Sequence, residues 1–407
     1  MPEWTKEQQS AIDARDCNIL VSAAAGSGKT AVLVQRVLER MLDKANPVGI
    51  DRMLIVTFTN AAAAEMKARI NRELTEFIYQ YPNHSVALHQ QSLLPNAKIC
   101  TIDSFCINLV RENFYQLGIA QDFRILEDSQ RFVLEQTVME GIIEELYAKD
   151  DETFRQLVEL LSTTKNDSDF IKAVKRIDEY ITSHPFPFEW LEETAQLYHP
   201  ALTFDSSELK QYYLAEIKEY LAYFREVIAS TRAVLYPEDE LFEKYSAVLD
   251  EDWRIIDSFE QSLDGKWDDI ITAAQTVKFA STPYKRNYES DVKELVSDNR
   301  KVYGGAAGLF VKDILPMLSV TSNEIKQDNE YLYPLLQKLT ELVKAYHDGM
   351  MAMKKEMNAY TFSDIEHFAI ELLFVRDAHG KLERSELAKE LENSFDEILV
   401  DEYQDTN

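Results

Sequence analysis

The stretch Ala23-Ala24-Ala25-Gly26-Ser27-Gly28-Lys29-Thr30 constrains this chain more than any other. Before it stands an apolar run, Cys17-Asn18-Ile19-Leu20-Val21, which reads as a buried strand. After it, Lys29 to Asp43 reads as a helix with Val32, Leu33, Val37 and Leu38 on one face. Strand, small-residue loop and helix in that order predict a phosphate loop. Consecutive backbone amides can close round a phosphate only where side chains are small, and the helix N-terminus adds partial positive charge. Lys29 is expected to neutralise the β and γ oxygens of a nucleotide, and the Thr30 hydroxyl to ligate Mg2+. Ala23 to Thr30 are therefore the candidate nucleotide-binding residues, with Ala23 standing where the general pattern has its first glycine.

A phosphate loop needs an acidic partner. Ile398-Leu399-Val400 reads as a strand running straight into Asp401-Glu402-Tyr403-Gln404-Asp405. In parallel sheets a residue at a strand's C-terminal end faces the crevice where ligands bind. Asp401 is expected to hold Mg2+ through water, and Glu402 to accept a proton from an attacking water. An acidic cluster near a chain end is ordinarily a solvated tail; the apolar strand before it and the phosphate loop make the difference here.

Loop and acidic tip belong to one sheet yet lie far apart in sequence, so what separates them is expected to be an insertion. Up to about residue 125, short apolar runs alternate with helical patterns, as in a parallel α/β sheet. Met53 to Thr57 reads as a second strand, followed by a helix from Ala61 to about Tyr79. Lys98 to Thr101 reads as a third, with Asp103 as cap of a helix running to Tyr115. From 128 to 350 the pattern becomes long amphipathic helices rich in Glu, Leu and Tyr. Ser363-Asp364-Ile365-Glu366 then has the spacing of a capping box opening a helix from His367 to Val375. The predicted class is α/β: a parallel-sheet domain from 1–127 and 351–407, interrupted by an all-helical insertion domain at 128–350.

The chain has 407 residues, which fits two or three domains. No long apolar run is present, and the start, MPEWTKEQQS, has no secretory pattern, so a cytoplasmic place is expected. Cys17, Cys100 and Cys106 fit neither a zinc site nor a disulfide framework and read as small buried hydrophobes. His84 and His89 form no ligand pattern and read as surface residues. The net charge of −28 weighs against a large nucleic-acid surface. Its distribution reopens the question: residues 1–125 hold 13 basic and 13 acidic residues, residues 126–350 hold 24 and 44, and residues 351–407 hold 6 and 14. Any grip on DNA must be local, through amides, hydroxyls and a few cations.

At this point five motifs stand in order. They are Gln8 in Trp4-Thr5-Lys6-Glu7-Gln8, the phosphate loop, Thr57-Phe58-Thr59-Asn60-Ala61-Ala62-Ala63-Ala64-Glu65-Met66, Thr101-Ile102-Asp103-Ser104-Phe105-Cys106, and Asp401 to Asn407. Together they resemble superfamily 1 DNA helicases of the UvrD/Rep/PcrA type. Within that group the second to last motif with Arg111-Glu112-Asn113-Phe114, the acidic helical insertion and Phe362-Ser363-Asp364-Ile365-Glu366-His367 look most like the AddA (RexA) family, the helicase-bearing half of the bacterial ATP-dependent helicase/nuclease. The resemblance covers the whole chain, more loosely in the insertion.

The resemblance implies a RecA-like P-loop NTPase domain that uses ATP and Mg2+. It implies that Gln8 reads the adenine edge and that Gln404 contacts the γ-phosphate and couples it to DNA movement. Thr59 and Asn60, then Ser104 and Phe105, are the implied contacts to single-stranded DNA, by hydroxyls and amides at helix N-termini and by stacking. Phe105 reads equally well as core packing. Related helicases often carry Lys where this chain has Ala61, which removes one phosphate contact. For the parent protein it implies ATP-driven 3′→5′ translocation, unwinding of duplex DNA ends and exonuclease processing in recombinational repair, together with AddB (RexB). Tyr284-Lys285-Arg286-Asn287-Tyr288 reads as a solvated loop or as a contact to duplex DNA.

Two alternatives keep the same motifs: a stand-alone UvrD-like helicase without nuclease, and a nucleotide-dependent binding module. A downstream nuclease domain with an adjacent gene for a second subunit separates the first from AddA. Submicromolar ATP affinity abolished by Lys29→Ala would mark the second. The family's later motor motifs, including the arginines that reach the γ-phosphate, are expected beyond Asn407. Loss of an arginine finger lowers turnover by about 10³–10⁵. The 407-residue chain is thus expected to bind nucleotide weakly and to release phosphate at a negligible rate, and robust DNA-stimulated ATPase activity would overturn this.

Overall fold

The structure is a computed structural model and describes residues 4–24, 26–162, 167–285 and 290–405. Of the residues singled out above, Ala25, Arg286, Asn287, Tyr288, Thr406 and Asn407 lie outside the described residues. The chain divides into two compact units. The first comprises Met1–Gly141, Thr182–Pro185 and His347–Asn407, the second Ile142–Ile181 and Phe186–Tyr346.

In the first unit, α1 (Lys6–Asp13) is followed by α2 (Lys29–Met41), β1 (Met53–Val56), α3 (Asn60–Gln80), α4 (Ser85–Leu93), β2 (Lys98–Cys100), α5 (Ile102–Glu112), α6 (Phe114–Leu117) and β3 (Arg124–Ile125). The chain passes to the second unit within α7 (Asp128–Ala148). There it forms α8 (Glu152–Leu161), α9 (Ser168–Ile181), α10 (Pro187–Gln196), α11 (Glu208–Ala233), α12 (Phe242–Ser262), α13 (Trp267–Thr276), α14 (Asp291–Tyr303) and the short α15 (Leu315–Met317). It returns within α16 (Ser322–Glu356) to β4 (Ala359–Tyr360), α17 (Phe362–Leu373), β5 (Phe374–Arg376), β6 (Leu382–Arg384), α18 (Glu386–Ser394) and β7 (Glu397–Val400).

All four residues of β1 are buried, as befits a central strand of a parallel sheet. It pairs in parallel with β2 on one side and β7 on the other. Opposite Val56 stand Cys100 and Val400, so the three strands end together. The periodicity of the flanking helices explains the core: α2 buries Val34, Val37, Leu38 and Met41, and α3 buries Ala63, Met66, Ile70 and Leu74. These meet Met53, Ile55 and Leu399 from the sheet. A second core joins α5 to α17 through Val110, Phe123, Tyr360, Ile365 and Leu372. Gly349 marks a close crossing, since a side chain there would meet Val138 at 2.8 Å.

In the second unit, Ile217, Leu221, Phe224 and Ile228 of α11 pack with Ile256, Trp267, Ile270 and Tyr303. Asp252, fully buried, receives Arg300 at 2.6 and 2.9 Å and the Tyr303 hydroxyl at 2.7 Å. Arg300 also donates to Thr282 and to the Ala280 carbonyl, so the charges are paired and hydrogen-bonded. Burial, then Asp252, pushes the Tyr303 phenol well above its usual range.

Several local expectations are corrected. Cys17 to Val21 forms no strand among the described residues, and Leu20 is 81% exposed. An apolar run becomes a strand only where a neighbour supplies its ladder, and here β7 is paired on one side alone among the described residues. Cys17 is exposed, while Cys106 is buried. The cap of α5 is Thr101, whose hydroxyl accepts from Ser104 N at 3.1 Å, and Asp103 lies inside the helix. The capping box of α17 is Thr361 with Asp364, two residues earlier than Ser363 with Glu366, and Val375 belongs to β5. His84 accepts from Ala87 N at 3.2 Å and so caps α4.

Within the α5 and α17 layer, burial raises Glu366 above the usual carboxylate range, and the neighbouring Asp103 adds to the rise. A carboxyl whose folded value is raised contributes stability below its unfolded value and loses it as pH rises through the folded one. Glu366→Gln is therefore expected to raise the thermal midpoint at pH 7, with the gain vanishing near pH 4; equal gains at both pH values would contradict it.

Candidate functional site

Everything of interest lies where β1, β2 and β7 end. The phosphate loop turns through two left-handed glycines, Gly26 at φ +78° and Gly28 at φ +84°. Gly28 is also the N-cap of α2, so the loop hands its amides directly to a helix N-terminus. Ser27 N bonds to Ala24 O at 3.2 Å, closing the turn. Lys29 Nζ donates to Ala23 O at 3.1 Å, folded back over the loop.

Gln8 reaches the same loop. Thr5 and Gln8 form the capping box that starts α1, with Thr5 N donating to Gln8 Oε1 at 2.9 Å. The other end of that amide, Nε2, donates to Ser27 O at 3.1 Å. The adenine candidate and the phosphate loop are thus directly bonded.

From the far end of the chain, Asp401 continues the ladder, its N donating to Val56 O at 2.9 Å. Its carboxylate Oδ2 accepts from Thr30 Oγ1 at 3.5 Å. Two hard oxygen donors side by side at a phosphate loop fit Mg2+, which takes one or two protein oxygens and leaves its other positions to water and phosphate. Glu402 follows at φ +52°, a left-handed conformation uncommon outside glycine. Gln404 Nε2 donates to the Glu402 carboxylate, so these two candidates touch each other.

The DNA candidates form a neighbouring cluster. Thr59 caps α3, accepting from Ala62 N at 3.1 Å, and the buried Thr57 donates to Thr59 O at 3.0 Å. Thr101 Oγ1 donates to Ser104 Oγ at 2.9 Å, and Ser104 Oγ donates to Asn60 Oδ1 at 3.1 Å. This relay joins the N-termini of α3 and α5 into one polar surface. Phe105 is half-buried, packed on the second core and 6.5 Å from the Phe395 ring. Phe58, by contrast, is 62% exposed. Sequence reasoning passed over Phe58 and Thr101; an aromatic between two threonines just after an apolar strand was the signal for the first, and a T-x-x-S helix start for the second. In the second unit, Lys285 pairs with Glu240 and the exposed Tyr284 ring lies under Lys293. Burial pushes the Cys106 thiol up to about 12, which leaves it unreactive.

The model of the UvrD/REP helicase N-terminal domain family matches residues 4–407. Among curated relatives, the A-subunit of the ATP-dependent helicase/nuclease of Acetivibrio thermocellus is 36% identical over 412 residues, covering 100% of this chain and 33% of the relative. The protein of that name from a Thermoanaerobacter species is also 36% identical with the same coverage, and that of Bacillus cereus is 32% identical over 410 residues. The chain spans about a third of the length of these relatives.

The loop geometry has a direct test. A Cβ at Gly28 would find ordinary space, 3.6 Å from Gln8 Nε2, so any penalty comes from its backbone. A left-handed non-glycine residue costs about 1–2 kcal/mol. Gly28→Ala is expected to lower stability in urea by that amount, and an unchanged midpoint would show that the loop does not hold this conformation.

Proposed function

Since the chain belongs to the UvrD/REP helicase N-terminal domain family, we propose that it forms the ATP-binding part of a DNA helicase motor of the helicase/nuclease A-subunit type, AddA (RexA). The observation that carries this reading is the meeting of Thr30 and Asp401, 371 positions apart in sequence and 3.5 Å apart in space.

We read residues 1–127 with 351–407 as a RecA-like P-loop domain and 128–350 as a helical insertion. What supports this is a parallel sheet built from both ends of the chain and a second unit made of helices. Among the described residues no helix is long and apolar enough to cross a membrane. A cytoplasmic place suits the free thiols.

In the mechanism each residue acts on a stated atom. Lys29 exchanges Ala23 O for the β and γ oxygens, and the amides around Gly26, Ser27 and Gly28 hold the β-phosphate. Gln8 exchanges Ser27 O for the adenine edge. Thr30, and Asp401 through water, would hold Mg2+, which when bound would spread the charge of the phosphates. Glu402 takes a proton from the attacking water, and Gln404, bonded to Glu402, turns to the γ-phosphate. On the neighbouring surface the helix N-termini at Thr59, Asn60 and Ser104 hold DNA phosphates, while Phe58 offers a face for a base. In the whole protein we place this cycle within 3′→5′ unwinding and exonuclease processing of duplex DNA ends, with AddB (RexB) as the second subunit.

Titration of a fluorescent ADP analogue with Mg2+ tests the site. Wild type is expected to saturate, and Lys29→Ala to bind at least tenfold more weakly, about the 1.5–3 kcal/mol of a charged hydrogen bond. Equal binding by the two would sink the reading. For DNA, Phe58→Ala is expected to weaken oligothymidine binding in fluorescence anisotropy by about 1–3 kcal/mol.

A further inference from the structure

Helix α2 meets β7 at a second place that touches no candidate ligand atom. About one and a half turns after Thr30, Arg36 Nη2 lies 3.6 Å from Glu397 Oε2, and Arg40 Nε donates to Glu397 Oε1. The three side chains are 14%, 13% and 15% exposed for Arg36, Arg40 and Glu397. Arg36 Nη1 also donates to Ala11 O at 2.9 Å and Ala14 O at 2.7 Å, at the C-terminal end of α1. Burial lowers the proton affinity of this guanidinium, and Glu397 works against that loss. A planar fork of five donors serves helix carbonyls and a carboxylate together in one fixed geometry.

The spacing gives the cluster its effect. From Thr30 to Arg36 a helix rises about 9 Å, and from Glu397 to Asp401 a strand rises about 13 Å. Helix and strand are thus pinned near both ends, Thr30 to Asp401 and Arg36 with Arg40 to Glu397. The ladder to β1 already holds β7 in the sheet, so the second contact bears on where α2 lies against that strand. With the second, a shift pulls a buried carboxylate off both guanidinium groups, which is strongly unfavourable.

We propose that Arg36, Arg40 and Glu397 are positioning residues: they set the position of α2 against β7, placing Thr30 beside Asp401, and through Arg36 they seat α1 so that Gln8 reaches the loop. The inference rests on the nucleotide-site reading above. It assigns to an ion-pair cluster that touches no ligand a control over how tightly Mg2+ and nucleotide bind together.

The experiment measures the affinity of the 407-residue chain for a fluorescent ADP analogue twice, with Mg2+ and with EDTA, and takes the ratio. General loss of folded protein scales both affinities and leaves the ratio alone. Glu397→Gln, which keeps shape and removes charge, is expected to lower the ratio by about two- to thirtyfold, the range of coupling carried by residues that touch neither ligand. Glu397→Asp, which keeps the charge, is expected to recover part of it. Should Glu397→Gln fail to fold, Arg40→Lys, which keeps a cation, carries the same test with a smaller fall. A ratio unchanged in Glu397→Gln or, failing that, in Arg40→Lys overturns the proposal. If Lys29→Ala binds as wild type does, the nucleotide-site reading falls and the proposal with it.

Discussion

The end of β1 holds the site together. At Val56 the ladder runs in both directions, with Asp401 N donating to Val56 O and Thr57 N donating to Cys100 O. Three chain segments remote in sequence therefore stop at one edge. Because parallel strands all point their C-terminal ends the same way, the loops that follow them share a single crevice. The acidic tip and the two capped helix starts at Thr59 and Thr101 are consequences of that alignment, and the Thr30–Asp401 contact brings the phosphate loop to the same edge. Without β7 in register, Thr30 and Asp401 would not be neighbours.

The parts of the site that were legible in the sequence are those whose chemistry demands particular residue types in a row. Gly-Lys-Thr after a small-residue run and Asp-Glu after an apolar strand carry their own reasons. The helix of the phosphate loop and the strands β1, β2 and β7 followed from periodicity. The failures share a cause. The run from Cys17 to Val21 is apolar enough for a strand, yet pairing is a property of two segments and the second is invisible to local pattern. The capping errors at Asp103 and Ser363 arose because several adjacent residues can cap, and only the backbone decides which hydroxyl points at the free amides. Arg36 and Glu397 could not have been matched at all, since nothing in two separate charged residues announces that they will be buried together.

The second unit shows the same economy of charge in a different setting. Its acidic surplus is solvated, whereas Asp252 in its interior is enclosed by a guanidinium and a phenol. A buried charge paired in this way adds little to stability over an apolar replacement, while loss of one partner is costly.

Two hydrogen bonds at the loop have a kinetic meaning. Lys29 rests on Ala23 O and Gln8 on Ser27 O. On the reading proposed above an incoming nucleotide displaces both, and each exchange forgoes roughly 1 kcal/mol of net interaction. The loop is thus its own competing ligand, tightening behind a departing product as the two side chains fall back. On that reading binding is weakened by these two exchanges. In the motor proposed above, where letting go often sets the pace, a site that re-closes on itself is a site that empties.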